Sequence, residues 1–259
     1  MSGAPLPSLF LSHGAPSLPL DRAHPTYAFL KNLGSTLERP RAILVVSAHW
    51  DTRTPTLTTS LRPDTIHDFY GFPAPLYALR YPAPGSPELA RDAAGLLRGA
   101  GLGAEFDLER GLDHGAWVPL LLMYPLADIP VVQLSVQTRS GAAHHLALGH
   151  ALKPLRDQGV LIVGSGGATH NLREFFQPAP GQDESYVPRF TTWLKDVLER
   201  GDKAALADYR RLAPDAARAH PTEEHFFPLL AAAAAGGKAE RIHTAMSGAS
   251  LAMDSYRFS

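Results

Sequence analysis

The chain has 259 residues, with 24 basic and 25 acidic side chains, a formal net charge of -1 and no cysteine. This length suffices for one hydrophobic core with a deep pocket, so we expect a single catalytic domain over residues 1–259. The balanced charge excludes the basic surface of proteins that bind nucleic acid or anionic membranes, and a small molecule is the expected partner. Without cysteine, any metal must be held by imidazole and carboxylate groups.

The N-terminal segment MSGAPLPSLFLSHGAP lacks the basic region and the long apolar region of a secretory signal. No apolar run in the sequence reaches the length of a transmembrane helix. Together these two features predict a cytoplasmic protein without a membrane span.

Short apolar runs predict buried strands, because they are continuous rather than alternating, as in strands covered on both faces. These runs occupy residues 9–11, 42–46, 130–136 and 160–163. Helical spacing of apolar residues predicts helices over residues 87–99, 141–157 and 187–200, and around the alanine run 229–235. The elements together predict an α/β fold with a central mixed, largely parallel sheet flanked by helices.

Two further segments are rich in proline and have no clear period. Residues 53–81 are interpreted as an extended excursion over one end of the sheet, a position from which a long loop can roof a site. Residues 177–184 are interpreted as a loop within the domain and not as a boundary between domains.

Histidines follow three of the predicted strands, each after a turn of small residues. They are His13 in SLFLSHG, His49 in AILVVSAHW and His170 in VLIVGSGGATH. Ligands collect at the carboxyl ends of strands in open α/β sheets, because side chains there converge on a crevice. A single histidine at a strand end is usually a surface or core residue, but the coincidence across three strands favours a shared site.

Imidazole is a ligand for Fe(II), Zn(II), Cu(II) and Ni(II), and a site with few protein ligands leaves positions open for catalysis. The segment HPTEEHFFPLL offers further ligands in Glu223, Glu224 and His225. The two glutamates fit equally well as part of a helix start capped by Thr222. His225 is favoured as the third ligand, because the aromatic pair that follows would anchor it in the core.

The segment GLDHGAWVPLLLMYP places His114 before an apolar helix. One interpretation is a helix start with Asp113 as its cap, and the other, which we favour, is an imidazole that faces the substrate. In the predicted roof, TIHDFYGFP supplies His67, Phe69 and Tyr70 as candidate substrate-binding residues. The remaining histidines that we expect on the solvated surface are His24, His144, His145, His150 and His243.

These motifs resemble the extradiol dioxygenases of the protocatechuate 4,5-dioxygenase catalytic-subunit superfamily, and within it the DOPA 4,5-dioxygenase-like group. The resemblance covers nearly the whole chain, through LSHGAPSL, AILVVSAHW, TIHDFYGFPAPLYALRYPAPGSPELA, RGLDHGAWVPLLLMYPLADIPVVQLSV, GVLIVGSGGATHNL and HPTEEHFFPLL. It implies that His13, His49 and His225 are metal ligands, with Glu224 as a substitute for His225. It also implies that His170 is the acid/base residue and that His114 faces the substrate.

The activity that the resemblance implies is a non-haem Fe(II)-dependent reaction, in which both atoms of O2 enter a catechol-type ring to give a ring-opened semialdehyde. Zn(II) is an expected occupant after isolation, because imidazoles bind zinc at least as well as iron, and His170 would then be a fourth ligand. Two alternatives use the same residues, a zinc-dependent hydrolase and a catalytically silent metal-binding relative.

Overall fold

The strands of the computed structural model form largely where the sequence has apolar or β-branched runs, and the structure describes residues 4–178, 181 and 183–259. The strands are β1 (Ser8–Ser12), β2 (Ala42–Asp51), β3 (Thr56–Thr58), β4 (Glu105–Asp107), β5 (Val131–Val136), β6 (Val160–Gly166), β7 (Ala239–His243), β8 (Met246–Ser247), β9 (Leu251–Ala252) and β10 (Ser255–Phe258). The four predicted runs lie within β1, β2, β5 and β6, apart from one residue at the start of β5.

Five of the described α-helices begin after a residue whose side chain accepts a hydrogen bond from the first turn, as Ser86 does from the Leu89 amide at 3.2 Å. The helices are α1 (Pro25–Thr36), α2 (Ala74–Tyr77), α3 (Pro87–Gly99), α4 (His114–Met123), α5 (Gly141–Leu152), α6 (Leu172–Phe176), α7 (Tyr186–Arg200), α8 (Lys203–Ala207), α9 (Tyr209–Leu212), α10 (Ala216–Ala219) and α11 (Phe227–Ala235). The predicted helix over residues 87–99 coincides with α3.

The main sheet has the strand order β4-β3-β5-β2-β6-β1-β10-β7. The central strands β5, β2, β6 and β1 pair in parallel. Antiparallel pairs join β3 to β5, β1 to β10 and β10 to β7. The predicted mixed, largely parallel sheet is confirmed.

Both faces of the sheet are covered, and the side chains of alternate residues in one strand pack against opposite layers of helices. Leu44 and Val46 of β2 pack in the layer that contains α3, α5, α7 and α11. Ile43 and Val45, also of β2, pack with residues of α1 and α4 on the other face. Burial on both faces explains why the central strands are continuous apolar runs.

The structure corrects one detail of the helix predictions. The helix predicted over residues 141–157 ends at Leu152, and a 3₁₀ segment continues over Lys153–Gln158. Pro154 explains this change, because proline has no amide hydrogen to donate in an α-helix. The predicted loop over residues 177–184 lies partly outside the described residues, at positions 179, 180 and 182.

The prediction that His145 lies on the solvated surface is wrong. Its side chain is buried where α5 packs on α11, and its ring stacks on Phe227 with 4.2 Å between centroids. Nδ1 of His145 lies 2.8 Å from the Gly141 carbonyl oxygen, and Nε2 accepts from the Gln137 amide at 3.1 Å. Because both ring nitrogens have partners, the ring can be buried in its neutral form.

None of the described helices combines the length and apolar character needed to cross a membrane.

Candidate metal centre and active-site cleft

Two histidines meet at the carboxyl edge of the sheet because the strands that carry them lie on either side of β6. His13 follows β1 directly, and its backbone amide donates to the Gly166 carbonyl at 3.1 Å. His49 lies near the end of β2. Parallel pairing of both strands with β6 therefore brings the two rings together.

The Nε2 atoms of His13, His49 and His225 converge. His49 Nε2 lies 3.0 Å from His13 Nε2 and 3.3 Å from His225 Nε2. Two nitrogens bound about 2.1 Å from one metal ion lie roughly 3.0 to 3.4 Å apart at neighbouring positions, so these separations fit a shared ion. His114 also belongs to the cluster, since its ligand atom and those of His13 and His49 lie within 4.8 Å of one another.

The hydrogen bond on the far side of His13 fixes which ring nitrogen is free. Its Nδ1 lies 2.9 Å from Ser165 Oγ, and that hydroxyl donates its proton to the Gly115 carbonyl oxygen. The hydroxyl must therefore accept from Nδ1–H of His13, which leaves the lone pair of Nε2 directed into the cluster.

His225 has an equivalent arrangement at its Nδ1, which lies 3.0 Å from Glu224 Oε1. The predicted aromatic anchor is confirmed, since Phe226 and Phe227 are fully buried. The backbone at His225 also packs closely on β6, where a Cβ atom at Gly166 would lie 2.1 Å from the His225 carbonyl oxygen. Glycine at this position thus allows His225 to approach the strand that separates β1 from β2.

Burial keeps these imidazoles in the form that binds metal. Burial is the main cause that lowers the pKa of His13, His49 and His225 well below the usual value, and neighbouring histidines lower it further. The free rings are neutral near pH 7, and neutral imidazole is the form that coordinates a metal ion. The donor set therefore fits a divalent transition metal such as iron or zinc.

Asp113 caps α4 as one interpretation predicted, accepting from the Ala116 amide at 3.2 Å. The next residue, His114, is held by Asp68, whose Oδ1 accepts from its backbone amide at 2.9 Å and whose Oδ2 lies 2.9 Å from its Nδ1. Burial opposes ionisation of Asp68, but these hydrogen bonds outweigh it and lower the pKa of Asp68 to about 2. An ionised carboxylate can only accept, so Nδ1 of His114 donates to Asp68.

His170 lies four residues beyond the end of β6. Its ring stacks on that of His225, with 3.3 Å between centroids and an interplanar angle of 10°. Burial lowers the pKa of His170 to about 4, with a smaller contribution from His114. The ligand atoms of His170, Glu224 and His225 lie within 4.8 Å of one another, so a second set of groups beside the cluster could hold a metal.

A cavity of about 450 Å³ opens over the histidine cluster. Its wall includes the five clustered histidines, and beyond them it is mostly apolar. Other residues of the wall are Gly14, Pro16, Asp68, Phe69, Phe72, Leu172, Phe175, Phe176, Glu224, Leu251 and Met253. The volume suits a substituted single aromatic ring.

Of the three residues predicted to bind substrate from the roof segment, the structure brings Phe69 to the cavity wall. His67 lies behind it, with Nε2 3.1 Å from the Leu79 carbonyl oxygen and its ring against Trp117. Tyr70 points to solvent, with 92% of its side chain exposed. The structure therefore brings Asp68 and Phe69 to the cavity wall and leaves His67 and Tyr70 away from it.

Sequence reasoning missed Asp68 and the apolar wall formed by Phe175, Phe176 and Met253. Asp68 stands between two residues that were singled out, in TIHDFYGFP, and a carboxylate in an aromatic stretch was the available signal. Phe175 and Phe176 follow His170 on α6, so their place near the cluster follows from the short distance along the chain. No pattern pointed to Met253, which directly follows β9 and lines the cavity.

Residues 7–259 match the family described as the catalytic LigB subunit of aromatic ring-opening dioxygenase. The chain is 46% identical over 257 residues to a 4,5-DOPA dioxygenase extradiol of Beta vulgaris, covering 97% of this chain and 96% of that protein. It is 43% identical over 238 residues to a 4,5-DOPA dioxygenase extradiol of Escherichia coli strain K12, covering 89% and 85% respectively. The crystal structure of an uncharacterized protein from Escherichia coli K12 matches with a TM-score of 0.80 at 33% identity, covering 98% of this chain and 100% of that chain.

Proposed function

Because this chain belongs to the LigB family of extradiol aromatic ring-opening dioxygenases, we propose that it is a non-haem Fe(II)-dependent enzyme. The reaction inserts both atoms of O2 into a catechol-type ring and gives a ring-opened semialdehyde, and residues 1–259 act as one catalytic domain. The observation that carries the proposal is the convergence of the Nε2 atoms of His13, His49 and His225 at the floor of an aromatic cavity.

His13, His49 and His225 would hold the iron, with Ser165 and Glu224 fixing two of the rings through Nδ1. When bound, Fe(II) supplies a redox-active centre that holds catechol and O2 together and passes electron density between them. Zinc would fit the same donors and, because it prefers four ligands, would recruit the nearby ring of His170.

His114 is proposed to face the catechol and to accept a hydrogen bond from one of its hydroxyls. Asp68 positions it, because hydrogen bonds to the backbone amide and to Nδ1 fix both the ring orientation and the tautomer. The lone pair of His114 Nε2 is then available to the substrate.

His170 is proposed as the acid/base residue. Its ring is neutral near pH 7 because burial lowers its pKa to about 4, so it can take a proton from a catechol hydroxyl. The same nitrogen can then return that proton to an oxygen atom derived from O2 as the O–O bond breaks. The small residues Gly166 and Gly167 line the cavity beside it and leave room for the substrate ring.

The test is oxygen uptake by protein that has been reconstituted with Fe(II) under anaerobic conditions. We expect one O2 consumed per catechol and, with ¹⁸O₂, both labelled atoms in the product. Protein loaded with Zn(II) is the matched control and should consume no O2. Cleavage of esters or amides by the zinc form, without any oxygen uptake by the iron form, would instead establish the hydrolase alternative.

A further inference from the structure

The turn between β6 and α6 carries His170, and the backbone of this turn decides where the ring lies. Within the described residues, the polar contact of the ring is an approach of 4.0 Å between Nδ1 and Glu224 Oε1, which is longer than a hydrogen bond. The ring also stacks on His225, with 3.3 Å between centroids. Stacking alone leaves a ring free to slide, so the position of His170 depends on what holds the turn.

The segment that carries the third proposed ligand holds both ends of this turn through backbone hydrogen bonds. The His170 amide donates to the Ala219 carbonyl oxygen at 2.8 Å. The Gly167 amide donates to the His225 carbonyl oxygen at 3.0 Å. The turn is thereby attached to residues 219–225 at its first and last positions.

A side chain of the same segment holds the middle of the turn. Nε2 of His220 lies 2.9 Å from the Ala168 carbonyl oxygen. A carbonyl oxygen can only accept, so Nε2 carries the hydrogen and donates it. His220 is fully buried, and its own carbonyl oxygen accepts a hydrogen bond from Arg210. The donor is therefore held in place on both its side-chain and its backbone side.

The surroundings of His220 are otherwise apolar. Its ring packs against those of Phe190 and Phe226, with 5.5 and 5.1 Å between centroids. Nδ1 of His220 is buried and has no hydrogen-bond partner among the described residues. Burial of an unpaired polar atom is unfavourable, and an apolar side chain would avoid it. The hydrogen bond to Ala168 is what an apolar side chain could not supply.

We infer that His220 is a positioning residue for proton transfer, because its hydrogen bond to the Ala168 carbonyl holds His170 in place against His225. Ala168 lies two residues before His170, so a shift of the turn moves the His170 ring. Proton transfer requires the two atoms to be within hydrogen-bond reach, and a small displacement therefore slows it. The inference rests on the proposed function, since it takes His170 as the acid/base residue.

Variants of His220 that differ in one hydrogen-bond donor test the inference. His220→Gln keeps a donor at the end of the side chain, whereas His220→Met has a similar length and no donor. His220→Phe is a second variant without a donor, and it suits the aromatic surroundings. His145→Phe is the control for the loss of a buried histidine elsewhere in the fold, and it should lower stability without slowing turnover.

Hydrogen–deuterium exchange of the anaerobic Fe(II) protein, followed by mass spectrometry, measures the turn itself. Amides in stable hydrogen bonds exchange slowly. In His220→Met and His220→Phe we expect the amides of residues 167–170 to exchange about tenfold faster than in the unmodified protein, which is the factor that one hydrogen bond contributes. In His220→Gln the rates should stay within about threefold of the unmodified protein. This measurement does not depend on catalysis.

Single-turnover kinetics on the same samples measure the consequence for the reaction. Bound iron should stay stoichiometric and the dissociation constant of catechol nearly unchanged, because His220 is absent from the described wall of the cavity. The single-turnover rate should fall about 10- to 100-fold in His220→Met and His220→Phe, as expected for a displaced reacting group. His220→Gln should recover most of that rate.

Failure of the inference can be separated from failure of the proposed function. If the unmodified Fe(II) protein consumes no O2 with catechols, the proposed function fails and the inference fails with it. If the unmodified protein is active and His220→Met turns over at the same rate, the function stands and the inference is overturned. Equal losses in His220→Met and His220→Gln, or loss of iron in proportion to turnover, would also overturn it, because His220 would then have a general structural role.

Discussion

Five histidines share one cluster, and the partner of the second ring nitrogen distinguishes their proposed roles. His13 and His225 donate from Nδ1 to Ser165 and Glu224, which directs Nε2 toward a common point. His114 instead donates to Asp68. His170 approaches Glu224 only to 4.0 Å, and its ring lies flat on His225. The residue type is the same throughout, so in the proposed mechanism the neighbouring groups determine which ring binds metal and which transfers protons.

Replacement of His225 tests the assignment of the third ligand. We expect His225→Ala to lose nearly all bound iron, because two imidazoles remain, whereas Glu224→Gln should keep the site with roughly 10- to 100-fold weaker affinity. His114→Ala should keep stoichiometric iron. The measurement is metal content after anaerobic equilibration with Fe(II), with circular dichroism as the control for folding. Full iron content in His225→Ala and loss in Glu224→Gln or His114→Ala would assign the ligand to one of those residues.

Replacement of His170 tests its role in proton transfer. We expect His170→Ala to retain iron and bind catechol, but to lose on the order of 10²- to 10⁴-fold in turnover, as acid/base groups usually do. Iron content and the single-turnover rate should be measured on the same sample. Loss of iron in proportion to loss of activity would show that His170 is a ligand and not an acid/base residue.

At the scale of helices and strands, the sequence predicted an element correctly where its local hydrophobic pattern matches the burial of that element in the fold. The runs within β1, β2, β5 and β6 are apolar because both faces of the sheet are covered, and the ends of β1 and β2 predicted the place of His13 and His49. The short strands β7 and β10 were missed, because segments such as AERIH mix polar and apolar residues. Their pairing is set by distant neighbours and not by local propensity.

The residues of the candidate site also fall into two groups, those that a local sequence pattern could predict and those that it could not. His13, His49 and His170 could be found because each follows a recognisable strand. Asp68 could not be assigned a role, since its contacts with His114 depend on how an irregular segment folds over α4. For the same reason the inward and outward residues of that segment, Phe69 and Tyr70, could not be distinguished from their order alone.

The contact between α5 and α11 depends on a glycine. A Cβ atom at Gly149 would lie 2.0 Å from the Ala231 carbonyl oxygen, whereas a Cβ at Gly95, in the exposed part of α3, would meet nothing within 4 Å. We expect Gly149→Ala to lower the free energy of unfolding by about 1 to 3 kcal/mol through overpacking. Gly95→Ala should raise it by roughly 0.5 to 1 kcal/mol through reduced chain entropy. Urea unfolding of the two variants measures both changes in the free energy of unfolding. Destabilisation of similar size in both variants would contradict the packing argument.

For the molecule as a whole, buried neutral histidine should make stability sensitive to acid. Burial is the main cause that lowers the pKa of His145 to about 4 in the folded state, from the usual 6.5. Below pH 6.5 the unfolded chain therefore binds a proton that the folded chain does not, and stability falls as the pH falls toward 4. The expected contribution is roughly 1.4 kcal/mol per pH unit across that window.

Urea unfolding between pH 7.5 and 4.5 measures this contribution. His145→Gln should show a shallower loss of stability with acid than the unmodified protein. His150→Gln is the matched control on the same helix, because His150 is exposed, and it should leave the slope unchanged. Equal slopes in all three proteins would mean that the ring of His145 can become charged without loss of the fold.

The strand that carries His13 is held on both sides by segments remote from it in sequence. Leu9 of β1 pairs with Val163 on one side and with Arg257 on the other. Contacts between such distant residues form slowly, because large chain loops must close before any contact stabilises them. We therefore expect the site around His13 to be among the last parts of the protein to assemble, so that a metal ion would bind only to a chain that has nearly completed folding. Until then β1 and β6 present open apolar edges, so the refolding yield should fall steeply as protein concentration rises.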